Sequence, residues 1–324
     1  MNHSTVKSFT FGIGLFFTLP LVYGNSSSPS SSDGTLYINK SKTHKVAPVK
    51  YGFHYEEIGM MGEGALHAEL IRNRSFEEAT PPAGLSVKNG LYENVPAPRV
   101  KEKKVFQADP LIGWTTYPLS YTPVFISRTD ENPMSGENKY SMLVNVTEDI
   151  ANHSDALILN RGYYGMNLKT DTSYRLSLFL KNRNYSAPLR VFLVDEWGQR
   201  VSNVIEVNVG NRDWTKYTGE LKPEKNVRRG MFAIQPMSKG QFQIDVVSLF
   251  PSDTWNDGKS VFRKDIVQNL KEFSPSFIRF PGGCIVHGVN EETMYHWKKT
   301  LGPIENRPGQ WSKWAPYYRT DGIG

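Results

Sequence analysis

The periodicity of the apolar residues changes twice along the chain, near Glu78 and near Pro251, and this limits the folds that the chain can adopt. Before the first change, residues 46–53 have strand composition. Residues 65–72 carry two leucines four positions apart, as on one face of a helix. The chain is therefore expected to begin its ordered part with a strand followed by a helix.

Between the two changes, short runs with strand composition alternate with turn residues. The runs are 174–180, 189–194, 201–209, 231–234 and 241–250. Breaks fall between them at 195–198, 210–211 and 239–240. This regular spacing predicts an antiparallel, jelly-roll-like β-sandwich. No repeat of fixed period is visible, which disfavours a propeller or a solenoid.

After Pro251 the pattern becomes helical again. Phe262, Ile266, Leu270 and Phe273 form the apolar stripe of an amphipathic helix. Residues 276–280 follow as a buried strand, which Pro281 and two glycines end. The fold class predicted is therefore α/β plus all-β, in which the sandwich is inserted into an α/β domain that begins before it and resumes after it.

The first 45 residues are expected to lie outside the folded part. An apolar run from residue 9 to 22 follows Lys7 and suits a secretory signal peptide over 1–24, the alternative being an uncleaved anchor. Residues 25–45 are predicted to be a linker, since 25–34 are mostly Ser, Pro, Asn, Asp and Gly. The sequence thus predicts a secreted or periplasmic protein without stable membrane insertion after cleavage.

Composition excludes several kinds of chemistry. The single cysteine, Cys284, permits no intrachain disulfide and no Cys-based zinc site, and the seven histidines are scattered. No phosphate-loop or dinucleotide fingerprint occurs, so no metal and no cofactor is expected. The net charge of +6 is spread along the 324 residues, which disfavours nucleic acid as a partner.

Two loops after predicted strands carry candidate site residues. Glu56 and Glu57 follow the first strand, where a carboxylate can accept hydrogen bonds from sugar hydroxyls, although an acidic pair is also common on surfaces. Gly282 and Gly283 follow the later strand and would let backbone amides approach a ligand, or simply form a tight turn. Cys284 could be a nucleophile, but the sequence fixes no His or Asp beside it, and a buried inert thiol is the more common case.

The chain resembles family 51 of the glycoside hydrolases, the α-L-arabinofuranosidases. The motifs that carry the resemblance are Tyr51-Gly-Phe-His-Tyr-Glu-Glu-Ile58, residues 64–77, Arg279-Phe-Pro-Gly-Gly-Cys284, residues 297–309 and Thr320-Asp-Gly-Ile-Gly324. Residues 160–166 and 245–255 resemble the carbohydrate-binding-module-like domain that longer members insert. The resemblance implies a (β/α)8 barrel, here partial, formed by 46–78 and 255–324 and interrupted by the sandwich at 79–254.

The resemblance also implies an activity, the removal of terminal α-L-arabinofuranosyl residues from arabinan or arabinoxylan by a retaining mechanism with two glutamates. It assigns sugar-hydroxyl binding to Glu56 and the lining of the arabinose pocket to the Gly282-Gly283-Cys284 turn. Both catalytic glutamates are expected beyond Gly324, in a barrel that this chain leaves truncated. The family pattern is broken at three positions, Ala65, His67 and His287.

The expected partners are arabinose-containing plant polysaccharides or oligosaccharides. Association into a homo-oligomer is left open by the sequence. A second function, from a different class, also stays open: a non-catalytic carbohydrate-binding protein that acts through the β-sandwich.

Overall fold

The computed structural model describes residues 51–58, 60–80, 86–89, 91–93, 106–107, 109–150, 155–288, 291, 293–311 and 319–320, together with Ile38, Asn39, Ser41, Thr43, Lys45 and Val49. The chain divides into two units, Met1–Lys50 and Tyr51–Gly324. In the first unit, Asn39 Oδ1 accepts hydrogen bonds from the Ser41 amide and hydroxyl, at 3.0 and 2.7 Å. The predicted signal peptide and most of the predicted linker lie outside the described residues.

All the strands and helices of the described residues belong to the second unit. In chain order the strands are β1 Phe53–His54, β2 Ser86–Lys88, β3 Leu91–Glu93, β4 Phe106–Gln107, β5 Trp114–Tyr117, β6 Val124–Thr129, β7 Ser141–Val146, β8 Leu157–Asn160, β9 Met166–Leu168, β10 Tyr174–Asn182, β11 Pro188–Val194, β12 Ile205–Asn208, β13 Thr215–Leu221, β14 Val227–Gln235, β15 Gly240–Pro251, β16 Ile278–Arg279, β17 Gln310–Trp311 and β18 Arg319–Thr320. The α-helices are α1 Lys264–Glu272 and α2 Gly283–His287, with a π-helical turn at Gly62–Leu66 and 3-10 turns at Trp297–Thr300 and Ile304–Asn306.

Two large antiparallel sheets dominate the described residues. One has the order β13-β10-β15-β7-β6, and the other has the order β12-β11-β14-β8-β5, with β9 also paired to β14. Smaller groups are the antiparallel sets β2-β3-β4 and β17-β18, and the parallel pair β1-β16. The protein is thus mostly β-sheet with few helices, whereas the sandwich and barrel assignments remain predictions.

One apolar core is shared by the two large sheets. Alternate residues of β10, such as Leu176, Leu178 and Leu180, are buried in it together with Val191 of β11 and Phe232 of β14. In β10 this period-two alternation buries one face of the strand and explains why the sequence pattern identified it. The strands predicted at 174–180, 189–194, 231–234 and 241–250 are confirmed, and the run at 201–209 contains the shorter β12.

The sheet that contains β14 is also apolar on its outer face. Leu157, Leu159, Phe192, Val194 and Met231 form a second buried cluster there. Because both faces of β8, β11 and β14 are apolar, these strands read as continuous apolar runs rather than as alternating ones.

The helix predicted for residues 65–72 is wrong. The π-helical turn Gly62–Leu66 ends at His67, whose φ and ψ of −67° and 132° are extended. Beyond it the backbone bonds to other parts of the chain: Ala68 N donates to Val261 O at 2.8 Å, and Leu70 N donates to Leu249 O at 3.1 Å. Hydrogen bonds to β15 and to the segment before α1 therefore replace the helical ones that the leucine spacing predicted.

Residues 67–80, termed here the charged strap, contain four buried Glu and Arg side chains, Glu69, Arg74, Glu77 and Glu78, and the partly buried Arg72. Glu69 accepts hydrogen bonds from the Ile71 and Leu249 amides and the Ser248 hydroxyl, and its Oε2 lies 3.7 Å from Arg74 Nη1. Arg72 holds Glu78 through Nη2 at 2.7 Å and Nε at 3.2 Å. Glu77 Oε1 accepts from the Lys139 and Tyr140 amides at 2.6 and 2.8 Å.

The other three sequence expectations concern the segments that flank the large sheets. The helix predicted over 262–273 is confirmed as α1, although it has no buried residue. The strand predicted at 276–280 is present as β16, but its predicted burial is wrong, because Ile278 is 54% exposed. Within the described residues, the strand predicted over 46–53 is present only as β1. Residues 46–48 and 50 lie outside the described residues.

Asn160, at the end of β8, links the charged strap to the sheet. Its Nδ2 donates to Arg72 O at 2.9 Å, and its Oδ1 accepts from the Arg72 and Gly162 amides at 3.3 and 2.8 Å. The side chain is fully buried.

Substitution Asn160→Ala leaves backbone groups of Arg72 and Gly162 without partners. We expect it to lower the free energy of unfolding by about 2–4 kcal/mol in urea titrations.

Asn203 provides the matched control. It too bonds two backbone groups, Glu220 O at 3.1 Å and Lys222 N at 2.6 Å, but at an exposed position. Because water can replace these bonds, Asn203→Ala should cost less than about 1 kcal/mol. Equal losses for the two variants would contradict the role given to Asn160.

Candidate functional site

The parallel pair β1-β16 brings together the two loops that carry the candidate site residues. Phe53 N donates to Phe277 O at 3.0 Å, Tyr55 N to Arg279 O at 2.8 Å, and Glu57 N to Pro281 O at 3.1 Å. The ladder therefore continues past both strands, and Glu56 comes to lie beside Gly282. Parallel strands end at the same edge of a sheet, which is why residues 226 positions apart in the sequence meet here.

Gly282 approaches Glu56 so closely that no side chain fits. Its φ is +108°, and a Cβ placed on it would lie 2.2 Å from Cγ of Glu56. Both the backbone conformation and the contact require glycine at this position. The Glu56 side chain therefore packs directly against the backbone of the Gly282 turn.

Glu56 lies in a polar environment supplied by its own strand and by β16. Its Oε2 is 3.9 Å from His54 Nε2, and the Glu56 side chain is 17% exposed. Arg279 Nη1 lies 3.1 Å from the same His54 nitrogen. The contact between Arg279 and His54 joins β16 to β1 beside Glu56.

Glu57 has a different environment from Glu56. It is 1% exposed, and its Oε2 accepts hydrogen bonds from the Gly62 amide and, at 3.3 Å, the Glu63 amide. Burial outweighs these two bonds and raises the pKa of the Glu57 carboxyl to about 7. Its Oε1 is buried without a hydrogen-bond partner. Glu57 thus anchors the π-helical turn, and the two adjacent glutamates do not form one site.

Tyr55 completes the contact between the first loop and the π-helical turn. Its hydroxyl donates to Met61 O at 2.5 Å. Burial and the nearby Glu57 raise the pKa of Tyr55 to about 12, so the phenol stays protonated and keeps this bond.

The remaining predicted site residues lie at the start of α2. Gly283 is within reach of Arg279, since a Cβ on it would lie 3.2 Å from Arg279 Nη2. Cys284 is a free thiol of intermediate exposure, and its carbonyl accepts from Gly288 N at 3.0 Å. Nothing in this geometry tests the nucleophile against the inert-thiol interpretation. In the described part of the chain, no group of three His, Cys, Asp or Glu side chains could hold a metal ion.

Sequence reasoning missed two sets of polar residues. His54 and Arg279 lie beside Glu56, and the register of β1 with β16, which pairs these two residues, would have found them. His67, Tyr163 and Thr254 line a separate cavity, and their distance apart in the sequence gave no signal.

Comparison with known proteins points to one group of enzymes. A family model described as the α-L-arabinofuranosidase 1 domain matches residues 269–324. Alpha-L-arabinofuranosidase 1 of Arabidopsis thaliana is 28% identical over 279 residues, which are 85% of this chain and 37% of that protein. An extracellular exo-alpha-L-arabinofuranosidase of Streptomyces chartreusis is 26% identical over 287 residues, 85% of this chain and 30% of that protein.

Among solved structures, an arabinose-bound family 51 α-L-arabinofuranosidase matches with a TM-score of 0.69 and 25% identity, over 88% of this chain and 42% of that one. The chain thus spans about two fifths or less of the length of these relatives. These matches relate the chain to the glycoside hydrolases. Within that class, the resemblance to the family 51 α-L-arabinofuranosidases is confirmed. Among the described residues, no helix is long and apolar enough to cross a membrane.

The close approach of Gly282 to Glu56 can be tested by adding one methyl group. We expect Gly282→Ala to destabilise the protein by about 1–2 kcal/mol through its positive φ and by about a further 1–3 kcal/mol because Glu56 must move. Gly302→Ala is the control, since Gly302 has a φ of +91° but no atom near its Cβ position. If urea unfolding gives the same loss of unfolding free energy for Gly282→Ala and Gly302→Ala, then Gly282 and Glu56 are not in contact.

The environment of Glu57 predicts a pH dependence of stability. Its folded pKa of about 7 exceeds the ordinary value of 4.5, so the folded state holds the proton more tightly and loses stability as pH rises between these values. Glu57→Gln keeps an acceptor for the Gly62 and Glu63 amides but does not ionise. Between pH 4 and pH 8, the free energy of unfolding of the variant should rise by roughly 3 kcal/mol relative to that of the wild type.

The exposed Glu206 serves as the reference position for that experiment. Glu206→Gln should leave the pH dependence of the wild type unchanged, because Glu206 is exposed on β12. A pH-independent difference between wild type and Glu57→Gln would refute the assignment of a raised pKa to Glu57.

Proposed function

We propose that the chain contributes to the removal of terminal α-L-arabinofuranosyl residues from arabinan or arabinoxylan side chains. The observation that carries the proposal is the ladder from Phe53 to Glu57 along residues 277–281, which brings Glu56 against the Gly282 turn. The confirmed family resemblance supports the reaction class. Arabinose-containing plant polysaccharides or oligosaccharides are the proposed partners.

In this proposal Glu56 accepts hydrogen bonds from hydroxyl groups of the bound arabinofuranose. A partly exposed carboxylate beside His54 and Arg279 is suited to this role, because it can reach a ligand while its other contacts hold it in place. The backbone of Gly282, Gly283 and Cys284 lines the same pocket, where the missing side chain of Gly282 lets a sugar approach closely.

We further propose that the reaction proceeds with retention, through one glutamate as acid/base and one as nucleophile, and that both lie outside these 324 residues. Retention requires two carboxyls about 5 Å apart that face the same glycosidic bond. Glu56 and Glu57 are unsuited to form such a pair, since Glu57 is buried and bonded to the Gly62 and Glu63 amides. The family resemblance implies a Gly-Asn-Glu motif for the acid/base, and no such motif occurs in the sequence.

The domain organisation and the location belong to the same proposal. The two large sheets with their shared core support a β-sandwich over 79–254, and the parallel β1-β16 pair supports a barrel built from 46–78 and 255–324. Secretion after cleavage of a signal peptide is proposed from the N-terminal sequence and agrees with the extracellular relative.

The role of Glu56 is tested by direct binding. We expect Glu56→Ala to weaken binding of methyl α-L-arabinofuranoside in calorimetric titrations by about 10-fold to 150-fold, because a hydrogen bond to a charged group contributes about 1.5–3 kcal/mol. The exposed Glu206→Ala should bind as wild type does. Unchanged affinity in Glu56→Ala would refute the proposed role.

The absence of the catalytic pair is tested by turnover. The 324-residue chain should release no nitrophenol from 4-nitrophenyl α-L-arabinofuranoside, because a retaining enzyme needs both carboxyls. Turnover in the wild type that Glu56→Ala abolishes would show that the chain carries its own catalytic carboxylates. A longer chain that contains both glutamates provides the second test. If that chain binds sugar but shows no turnover, the result would favour the alternative function, a non-catalytic carbohydrate-binding protein.

A further inference from the structure

One aromatic ring from the large sheets reaches the segment that follows Glu56. Tyr163 lies in the loop between β8 and β9, and its ring packs on Met60, which is 8% exposed. A Cβ placed on Gly64 would lie 2.8 Å from Cδ1 of this ring, so a side chain there would displace either the ring or the π-helical turn Gly62–Leu66. The Tyr163 ring therefore limits where the turn can lie.

The charged strap holds Tyr163 in its place. The Arg72 guanidinium carbon lies 5.9 Å from the centre of the Tyr163 ring, which is the distance of a cation–π contact. Asn160, at the end of β8, donates to Arg72 O at 2.9 Å and accepts from the Gly162 amide at 2.8 Å. The ring is thus carried by a loop whose backbone is anchored immediately before it.

The π-helical turn is bonded in its turn to both neighbours of Glu56. Glu57 Oε2 accepts a hydrogen bond from the Gly62 amide. The Tyr55 hydroxyl donates to Met61 O at 2.5 Å. Because Tyr55 and Glu57 flank Glu56 in the chain, a displacement of the turn moves the backbone that carries the Glu56 carboxylate.

The last link is the ladder between the two loops of the candidate site. The Glu57 amide donates to Pro281 O at 3.1 Å, next to the Gly282 backbone on which the Glu56 side chain packs. A continuous series of packed side chains and hydrogen bonds therefore joins Tyr163 to the Glu56 pocket. Energetic coupling between two sites is carried by contiguous contacts of this kind.

We propose that Tyr163 is a positioning residue for the Glu56 pocket. Its ring fixes the π-helical turn, and the turn fixes the backbone that places the Glu56 carboxylate against Gly282. In this way the large sheets act on the pocket through its geometry and without a sugar bound to them. The coupling rests on the contacts described above, whereas its effect on arabinofuranose binding rests on the proposed function.

The test measures amide hydrogen exchange by NMR and binding of methyl α-L-arabinofuranoside by calorimetry, both on the whole 324-residue chain. Tyr163→Leu removes the ring, and Tyr163→Phe keeps it. Gly64→Ala pushes the ring and the turn apart from the opposite side. Tyr185→Leu is the control for a general loss of stability, because Tyr185 is 2% exposed and packs on Phe242 with the ring centroids 4.8 Å apart.

We expect the Glu57 and Gly62 amides to exchange about 10-fold faster in Tyr163→Leu and in Gly64→Ala, because both variants loosen the turn locally. Tyr163→Phe should exchange as the wild type does. The same two loosened variants should bind methyl α-L-arabinofuranoside about 3-fold to 10-fold more weakly. Tyr185→Leu should be less stable in urea but unchanged in local exchange and in sugar affinity.

Two substitutions at one contact also allow a double-mutant cycle. Leucine vacates the space that the added methyl group needs, so Gly64→Ala should have a smaller effect on exchange in the Tyr163→Leu background than in the wild type. Strictly additive effects would show that the ring does not act on the turn.

Several results would overturn the role of Tyr163. Unchanged exchange of the Glu57 and Gly62 amides in both Tyr163→Leu and Gly64→Ala is one, and an equal loss in Tyr163→Phe and Tyr163→Leu is another. Faster exchange without weaker sugar binding would also overturn it if Glu56→Ala does weaken binding. If Glu56→Ala binds the sugar as the wild type does, the proposed function fails by itself, and the exchange rates decide the role of Tyr163.

Discussion

The burial of opposite charges in the charged strap is the constraint on which the rest of the molecule depends. Glu69 is 3% exposed, Arg74 is 3% exposed and Glu78 is 4% exposed, far from the water that normally solvates such groups. Burial raises the pKa of Glu69, while Arg74 and three hydrogen bonds act in the opposite direction. Removing one partner of such a pair strands a buried charge at a cost of about 3–5 kcal/mol. The strap can therefore follow essentially one path across the sheets.

The candidate site depends on this path. The strap begins where the π-helical turn Gly62–Leu66 ends, and Glu57 holds the start of that turn. On the other side, Arg263 N donates to Leu66 O at 2.9 Å immediately before α1, which leads into β16. Both strands of the parallel pair are thus connected by short segments to the same region. The contact between Glu56 and Gly282 therefore depends on where the strap begins.

Part of this could be predicted from the sequence, and part could not. Strands β10, β11, β14 and β15 and helix α1 were predicted because local periodicity reports which face of an element is apolar. The helix at 65–72 was predicted wrongly because its charged residues find partners up to 180 positions away, and local spacing carries no information about them. The meeting of the Glu56 and Gly282 loops follows a topological rule, that parallel strands end at one edge of a sheet. The cavity beside His67 arises only when four separate segments pack together.

The central claim is that an arabinofuranosyl unit binds between Glu56 and the Gly282-Gly283-Cys284 turn. A crystal structure of the protein soaked with methyl α-L-arabinofuranoside tests it most directly. The account predicts a sugar with at least one hydroxyl within about 2.5–3.0 Å of a Glu56 carboxylate oxygen and with its ring against the Gly282 backbone. A sugar bound elsewhere on the chain, with the Glu56 pocket filled only by water, would contradict the account.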